Sequence, residues 1–303
     1  MLKLSSNKNG FEDVFFEIKA NDKLNILNPN KLKFYYLRPQ NNKFDYKMLV
    51  KHIKKNIGRY VFSRETIKKY IDEDEMEVIA LDATEKLRSV KNEKDSGAGG
   101  ELGEILLYIF LEQELGAPKI ISKIELKTTA NQYVHGSDGV HLLVDKVEDK
   151  ICYKLIYGEA KLKGDLKEAI KEAFISLKTS VNDEFEIDLI NTHILKESFD
   201  KETIKRIKNI LIPTENTEEI CENAYGIFLG FSLNINRDIP TIKYKELLEK
   251  ELKEKIEEII PYISKKIVED EKLKYSSFYI YILPFDNVKE DRVEIIRRIK
   301  VGD

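Results

Sequence analysis

Ile151-Cys152-Tyr153-Lys154-Leu155-Ile156-Tyr157-Gly158-Glu159-Ala160-Lys161 is the stretch on which the fold of this chain turns. Residues 151–157 are largely apolar, the pattern of an interior strand. Side chains alternate along a strand, so Glu159 and Lys161 share one face while Gly158 and Ala160 share the other. The small pair is expected to let the following helix pack closely. A carboxylate and an ammonium at the end of a buried strand are costly unless partners meet them. The same Glu-x-Lys or Asp-x-Lys spacing recurs at Glu17/Lys19, Glu125/Lys127 and Asp165/Lys167. Those copies read as solvated surface, whereas Glu159 follows an apolar run.

On the N-terminal side, Gly139 to Val147 reads as a second strand, and Val147-Glu148-Asp149-Lys150 suits a hairpin turn. Asp138 leads into that strand between Ser137 and Gly139. A hairpin then brings Asp138 to the same sheet end as Glu159. Further upstream, Glu101 to Leu115 reads as a helix with Leu102, Ile105, Leu106 and Ile109 as its buried stripe. Gly116 suits the C′ position and Pro118 prevents continuation. Glu101 and Glu104 share one helix face. Glu104, which directly precedes Ile105-Leu106-Leu107, is the favoured third acid, with Glu101 as its rival. On the C-terminal side, Asp165 opens another helix, Glu168 completes a capping box, and Leu166, Ile170, Phe174 and Leu177 form the buried stripe.

The remaining sequence extends this α/β frame. Ile121 to Thr128, Ala224 to Ile235 and Ser277 to Pro284 read as strands, the last apolar enough to be central. Leu248 to Ile267 marks a long amphipathic helix that Pro261 should kink or end. Val14 to Leu27 supplies one or two strands. Phe44 to Ile57 and Ser63 to Tyr70 read as helices, the second capped by Ser63. Lys91 to Gly100 is the clearest linker-like break. The expected division is an N-terminal α+β segment, residues 1–92, and a second domain, residues 93–303. The first segment offers no chemistry and reads as a structural or partner-docking layer.

Hydrophobic residues make up 42% of the chain and charged residues 35%, which describes a folded globular protein rather than a disordered one. A net charge of -3 lacks the basic excess of a dedicated DNA-binding domain. Acids at a metal site contribute to that balance, and a partner can supply the grip on DNA. The two cysteines, Cys152 and Cys221, support neither a disulfide framework nor a zinc ribbon. No apolar run reaches the roughly 18 residues of a membrane span, and the start lacks a signal-peptide core. A cytoplasmic protein without membrane contact is expected. Glu101 follows Gly100, where a phosphate loop would need Gly-Lys-Ser/Thr, so nucleotide binding of that kind is excluded.

Helical acid, strand acid, then Glu-x-Lys is a layout suited to metal-dependent phosphodiester hydrolysis. Mg²⁺ takes oxygen ligands and commonly one or two carboxylates, filling the rest with water and phosphate oxygens. Glu104, Asp138 and Glu159 are the expected ligands, with Mn²⁺ able to substitute. Lys161 would orient the attacking water and add positive charge to the transition state. His135 and His141 offer a rival zinc reading, but His141 alternates away from Asp138 and no HExxH spacing occurs. Arg292, Arg297, Arg298 and Lys300 form a basic cluster, read as a solvated helical face in preference to a contact for DNA phosphates.

Gly100-Glu101-Leu102-Gly103-Glu104-Ile105-Leu106-Leu107, Gly136-Ser137-Asp138-Gly139-Val140-His141 and Tyr157-Gly158-Glu159-Ala160-Lys161 resemble the PD-(D/E)xK nuclease superfamily and, within it, the HamA family of the Hachiman anti-phage defence system. Ile280-Tyr281-Ile282-Leu283-Pro284-Phe285 also looks like that family's C-terminal strand. The resemblance implies a restriction-endonuclease-like core, a mixed central sheet flanked by helices, over roughly residues 95–285. It implies a Mg²⁺-dependent DNA endonuclease partnered with a helicase, HamB. Asp138, Glu159 and Lys161 match the core motif and Glu104 the helical acid, as the catalytic set. The superfamily's proline before the aspartate is replaced by Ser137. Two alternatives stand beside it: a catalytically silent scaffold or sensor subunit of a helicase complex, and an enzyme that cuts RNA.

Overall fold

The computed structural model describes residues 4, 10–19, 31–89, 98–126, 136–147, 150–180, 200–212 and 220–301. The strands are β1 (Phe15–Ile18), β2 (Lys31–Leu37), β3 (Pro39–Gln40), β4 (Lys43–Phe44), β5 (Gly139–Val147), β6 (Lys150–Leu162), β7 (Ile220–Ser232) and β8 (Ser277–Phe285). β3 and β4 form a small ribbon, and the other six form one mixed sheet in the order β1-β2-β8-β7-β6-β5. The four inner strands, β2, β8, β7 and β6, run parallel, and the outer pairs β1/β2 and β5/β6 are antiparallel. β8 is buried along its whole length between β2 and β7, which is why its sequence is almost wholly apolar.

The helices are α1 (Tyr46–Val61), α2 (Arg64–Asp72), α3 (Ile79–Ser89), α4 (Ala98–Ile109), α5 (Lys123–Leu126), α6 (Leu166–Ser180), α7 (Lys201–Leu211), α8 (Thr241–Val268) and α9 (Val288–Val301). The mixed sheet flanked by helices is the α/β class expected from the sequence. α4 and α6 each pack on β6 and β7. Small residues fix which face α4 takes. A Cβ on Gly103 would lie 2.7 Å from Leu162 Cδ1 and 3.1 Å from Ala160 Cβ. A Cβ on Gly158 would lie 2.8 Å from Leu107 Cδ2. Gly158 and Ala160 therefore lie under the preceding helix, α4, and not under the following one as the sequence suggested. By alternation, Glu159 and Lys161 face α6.

The sheet runs across position 92, because β2 pairs with β8. Phe110 ties the two parts together. Its ring lies 4.8–5.4 Å from those of Phe11, Phe15, Tyr35, Phe228 and Tyr281. Such aromatic pairs add attraction beyond their buried area. At this point α4 loosens into a π turn, Phe110–Glu114, before Gly116 closes it at φ 78°. The positive φ explains the glycine there.

Three local readings need correction. Ile121 to Thr128 is not a strand over its described part: Lys123–Leu126 form the short helix α5, which buries Ile124. Pro261 neither ends nor splits α8, which runs through it from Thr241 to Val268. Pro261 lies on the exposed face, where water can meet the carbonyl it leaves unbonded. The late strand expected from Ala224 begins earlier, at Ile220. The linker-like break lies mostly outside the described residues, as do the hairpin-turn residues Glu148 and Asp149, and His135. Among the described residues, no helix is long and apolar enough to cross a membrane.

Candidate active site

The β5/β6 ladder places the first two acids. Gly139 pairs with Gly158, and one residue further the Asp138 N–H donates to Gly158 O at 2.8 Å. The Ala160 N–H in turn donates to Asp138 Oδ2 at 2.7 Å. Asp138 is thereby clamped beside Glu159, as the hairpin reading required. Glu159 is only 4% exposed and pairs with Lys161 through its Oε1. The Ser176 hydroxyl on α6 also bonds Glu159, and Glu172 of the same helix lies near Lys161.

The helical acids separate. Glu101 pairs with Lys300 of α9 at 2.8 Å. Glu104 instead receives a hydrogen bond from the Tyr60 hydroxyl at 3.2 Å, and its charge is felt at Glu159. Of the two, Glu104 is the one whose charge acts on Glu159, while Glu101 is engaged by Lys300. Glu104, Asp138, Glu159 and Lys161 thus come to one end of the sheet.

Their charges are not at rest. Burial, reinforced by the neighbouring Glu159 charge, pushes the Asp138 carboxyl up to about 7. Glu159 is also raised, first by burial and further by Glu104, although Lys161 works against the shift. Burial disfavours the Lys161 ammonium, but Glu159 and Asp138 outweigh it and hold Lys161 above its ordinary range. In the folded state Asp138 prefers to be protonated, so its contribution to stability is full below its unfolded value near 3.8. It is lost as pH rises through about 7. Asp138→Asn fixes the neutral form. The variant should be more stable than the native protein in metal-free buffer at pH 8, by on the order of a few kcal/mol. The gap should close toward pH 4. Thermal melts in chelator across that range check this, and a gap independent of pH would contradict it.

Two carboxylates that burial raises, one of them raised further by the charge of the other, form a site short of positive charge. Their hard oxygens suit a Mg²⁺-like ion that takes two carboxylates and completes its shell with water or phosphate oxygen. Asp138 and Glu159 could hold such an ion, with Glu104 facing them. Among the described residues no group of three His, Cys, Asp or Glu is already gathered around a single point. His141 is a core residue: it is buried, its Nδ1 bonds Ala117 O at 2.8 Å, and burial pushes its pKa down to about 4.

Two contributors were missed from sequence. Lys123 of α5 donates to Ser137 O at 2.5 Å, and its charge favours ionised Asp138. Tyr60 comes from the N-terminal segment that appeared to carry no chemistry. Neither stands in a motif, and only a long-range contact reveals them. The basic cluster on α9 is largely internally paired: Arg297 and Arg298 both bond Glu294, and Lys300 bonds Glu101. Arg297 and Arg298 lie on a partly exposed helical face, whereas Lys300 is nearly buried against Glu101.

A search among characterised proteins finds no match to this chain. The family model of HamA, however, matches residues 13–299, nearly the whole sequence. The chain belongs to the HamA family, and so to the Hachiman anti-phage defence system.

Proposed function

We propose that this protein is a Mg²⁺-dependent DNA endonuclease of the PD-(D/E)xK type, acting as the effector of a Hachiman defence complex with a helicase. The observation that carries the reading is Asp138 locked beside the Glu159–Lys161 pair at the end of β6, with the Glu104 charge on α4 close enough to act on Glu159. Mg²⁺, once bound, supplies an activated water and stabilises charge developing at phosphorus. Glu159 and Asp138 would hold the ion, and Glu104 would add a third carboxylate from the helix. Lys161 orients the attacking water and places its ammonium beside the charge that grows on the phosphate. The backbone clamp from Ala160 N–H keeps Asp138 in place without adding charge. Ser137, which replaces the superfamily's proline, turns its hydroxyl onto Gly139 O at 3.1 Å and ties down the same turn.

The test is incubation of the purified protein with supercoiled plasmid, linear DNA and a matched RNA, in Mg²⁺, Mn²⁺ or chelator. Metal-dependent loss of DNA, with RNA spared, is expected, either from the protein alone or once its helicase is added. Preferential loss of RNA would move the substrate class. No cleavage even with the helicase would leave the silent scaffold as the better reading.

A further inference from the structure

We propose that Tyr60 is a positioning residue of the acid cluster, holding Glu104 toward Asp138 and Glu159; the inference rests on the nuclease reading above. Tyr60 lies at the C-terminal end of α1 and is buried. Its hydroxyl donates to Glu104 Oε2 at 3.2 Å. Burial, and after it the field of Glu104, Glu101 and Asp138, keeps the same hydroxyl neutral. A lysine or arginine at this place would also bind the carboxylate, but it would compete with a cation for it. A neutral donor orients the acid and leaves its charge available.

The tyrosine is itself held from both ends. Its ring packs against Tyr108 of α4 at 5.5 Å. Its carbonyl accepts from the Lys119 ammonium at 3.2 Å, and the same ammonium bonds Arg59 O and Phe62 O. A side chain fixed in this way can fix another. Groups that orient metal-binding carboxylates commonly change metal affinity by about 10–100-fold when removed.

The experiment uses the full-length protein and its Tyr60→Phe variant, with Mn²⁺ as the probe. Mn²⁺ affinity is read by electron paramagnetic resonance without DNA, beside the melting temperature and the cleavage rate. The expected result is about tenfold weaker Mn²⁺ binding at nearly unchanged melting temperature. Lost cleavage should return at high Mn²⁺, a rescue that a purely structural defect would not give. On a Glu104→Gln background, Tyr60→Phe should add nothing further. Unchanged Mn²⁺ affinity, or an additive loss on that background, overturns the proposal. A native protein that binds Mn²⁺ yet cuts no DNA even with its helicase added would sink the nuclease reading alone, because affinity still reports on Tyr60. A native protein that binds no Mn²⁺ would sink both.

Discussion

The Glu159→Ala/Lys161→Ala protein is expected to keep its fold and to lose metal-dependent DNA cleavage by at least about a thousandfold. The size follows from removing in one step the carboxylate proposed to hold the metal and the ammonium proposed to meet the developing charge. The double change is also cleaner than either single one. Lys161→Ala alone would leave Glu159 buried beside Asp138 without its ion-pair partner. Breaking a buried pair from one side costs about 3–5 kcal/mol, whereas removing both charges is often nearly neutral. Melting temperatures should therefore fall for Lys161→Ala and largely recover in the double variant. Such non-additivity is the signature of a coupled pair. A double variant that retained even a tenth of the native rate would remove these residues from the site.

Lys119→Met is expected to produce the largest loss of stability, about 3–5 kcal/mol, or a fall in melting temperature on the order of 10 °C. Lys119 is 3% exposed. All three ammonium protons are spent on carbonyls at the end of α1: Arg59 O at 2.5 Å, Tyr60 O at 3.2 Å and Phe62 O at 2.7 Å. A cation there also meets the negative end of the helix dipole. The lysine backbone continues the network. Its N–H donates to Glu112 Oε1 at 2.8 Å, and its carbonyl accepts from Arg64 Nη1 at 2.8 Å. Glu112 is fully buried. Methionine keeps the length of the side chain but leaves buried carbonyls without their donor. Urea unfolding checks the figure, and a loss below about 1 kcal/mol would show that water replaces the ammonium.

The part of the site that lies on one continuous pattern was legible. The largely apolar run through Ile156 and Tyr157 announced a buried strand, and strand geometry placed Glu159 and Lys161 on one face. The hairpin then brought Asp138 alongside. What failed needed knowledge of distant partners. Glu101 and Glu104 look alike in sequence, and Lys300, almost two hundred positions away, separates them. Lys119 reads as one more surface lysine in a lysine-rich chain until α1 is seen to end on it. Tyr60 reads as a core aromatic until α4 carries Glu104 to its hydroxyl. Ile121 to Thr128 was misread because alternation over so short a span fits a helical turn equally well.

Gly103 and Gly158 let α4 rest on β6 at distances no side chain would permit. Helix and strand then move as one piece, and so do the backbones that carry Glu104, Glu159 and Lys161. Separating those backbones would mean prying open the core, with Leu107 and Leu162 at its centre. A change in the spacing of Glu104 and Glu159 would therefore have to come from side-chain rotation, with the backbones held where the core sets them.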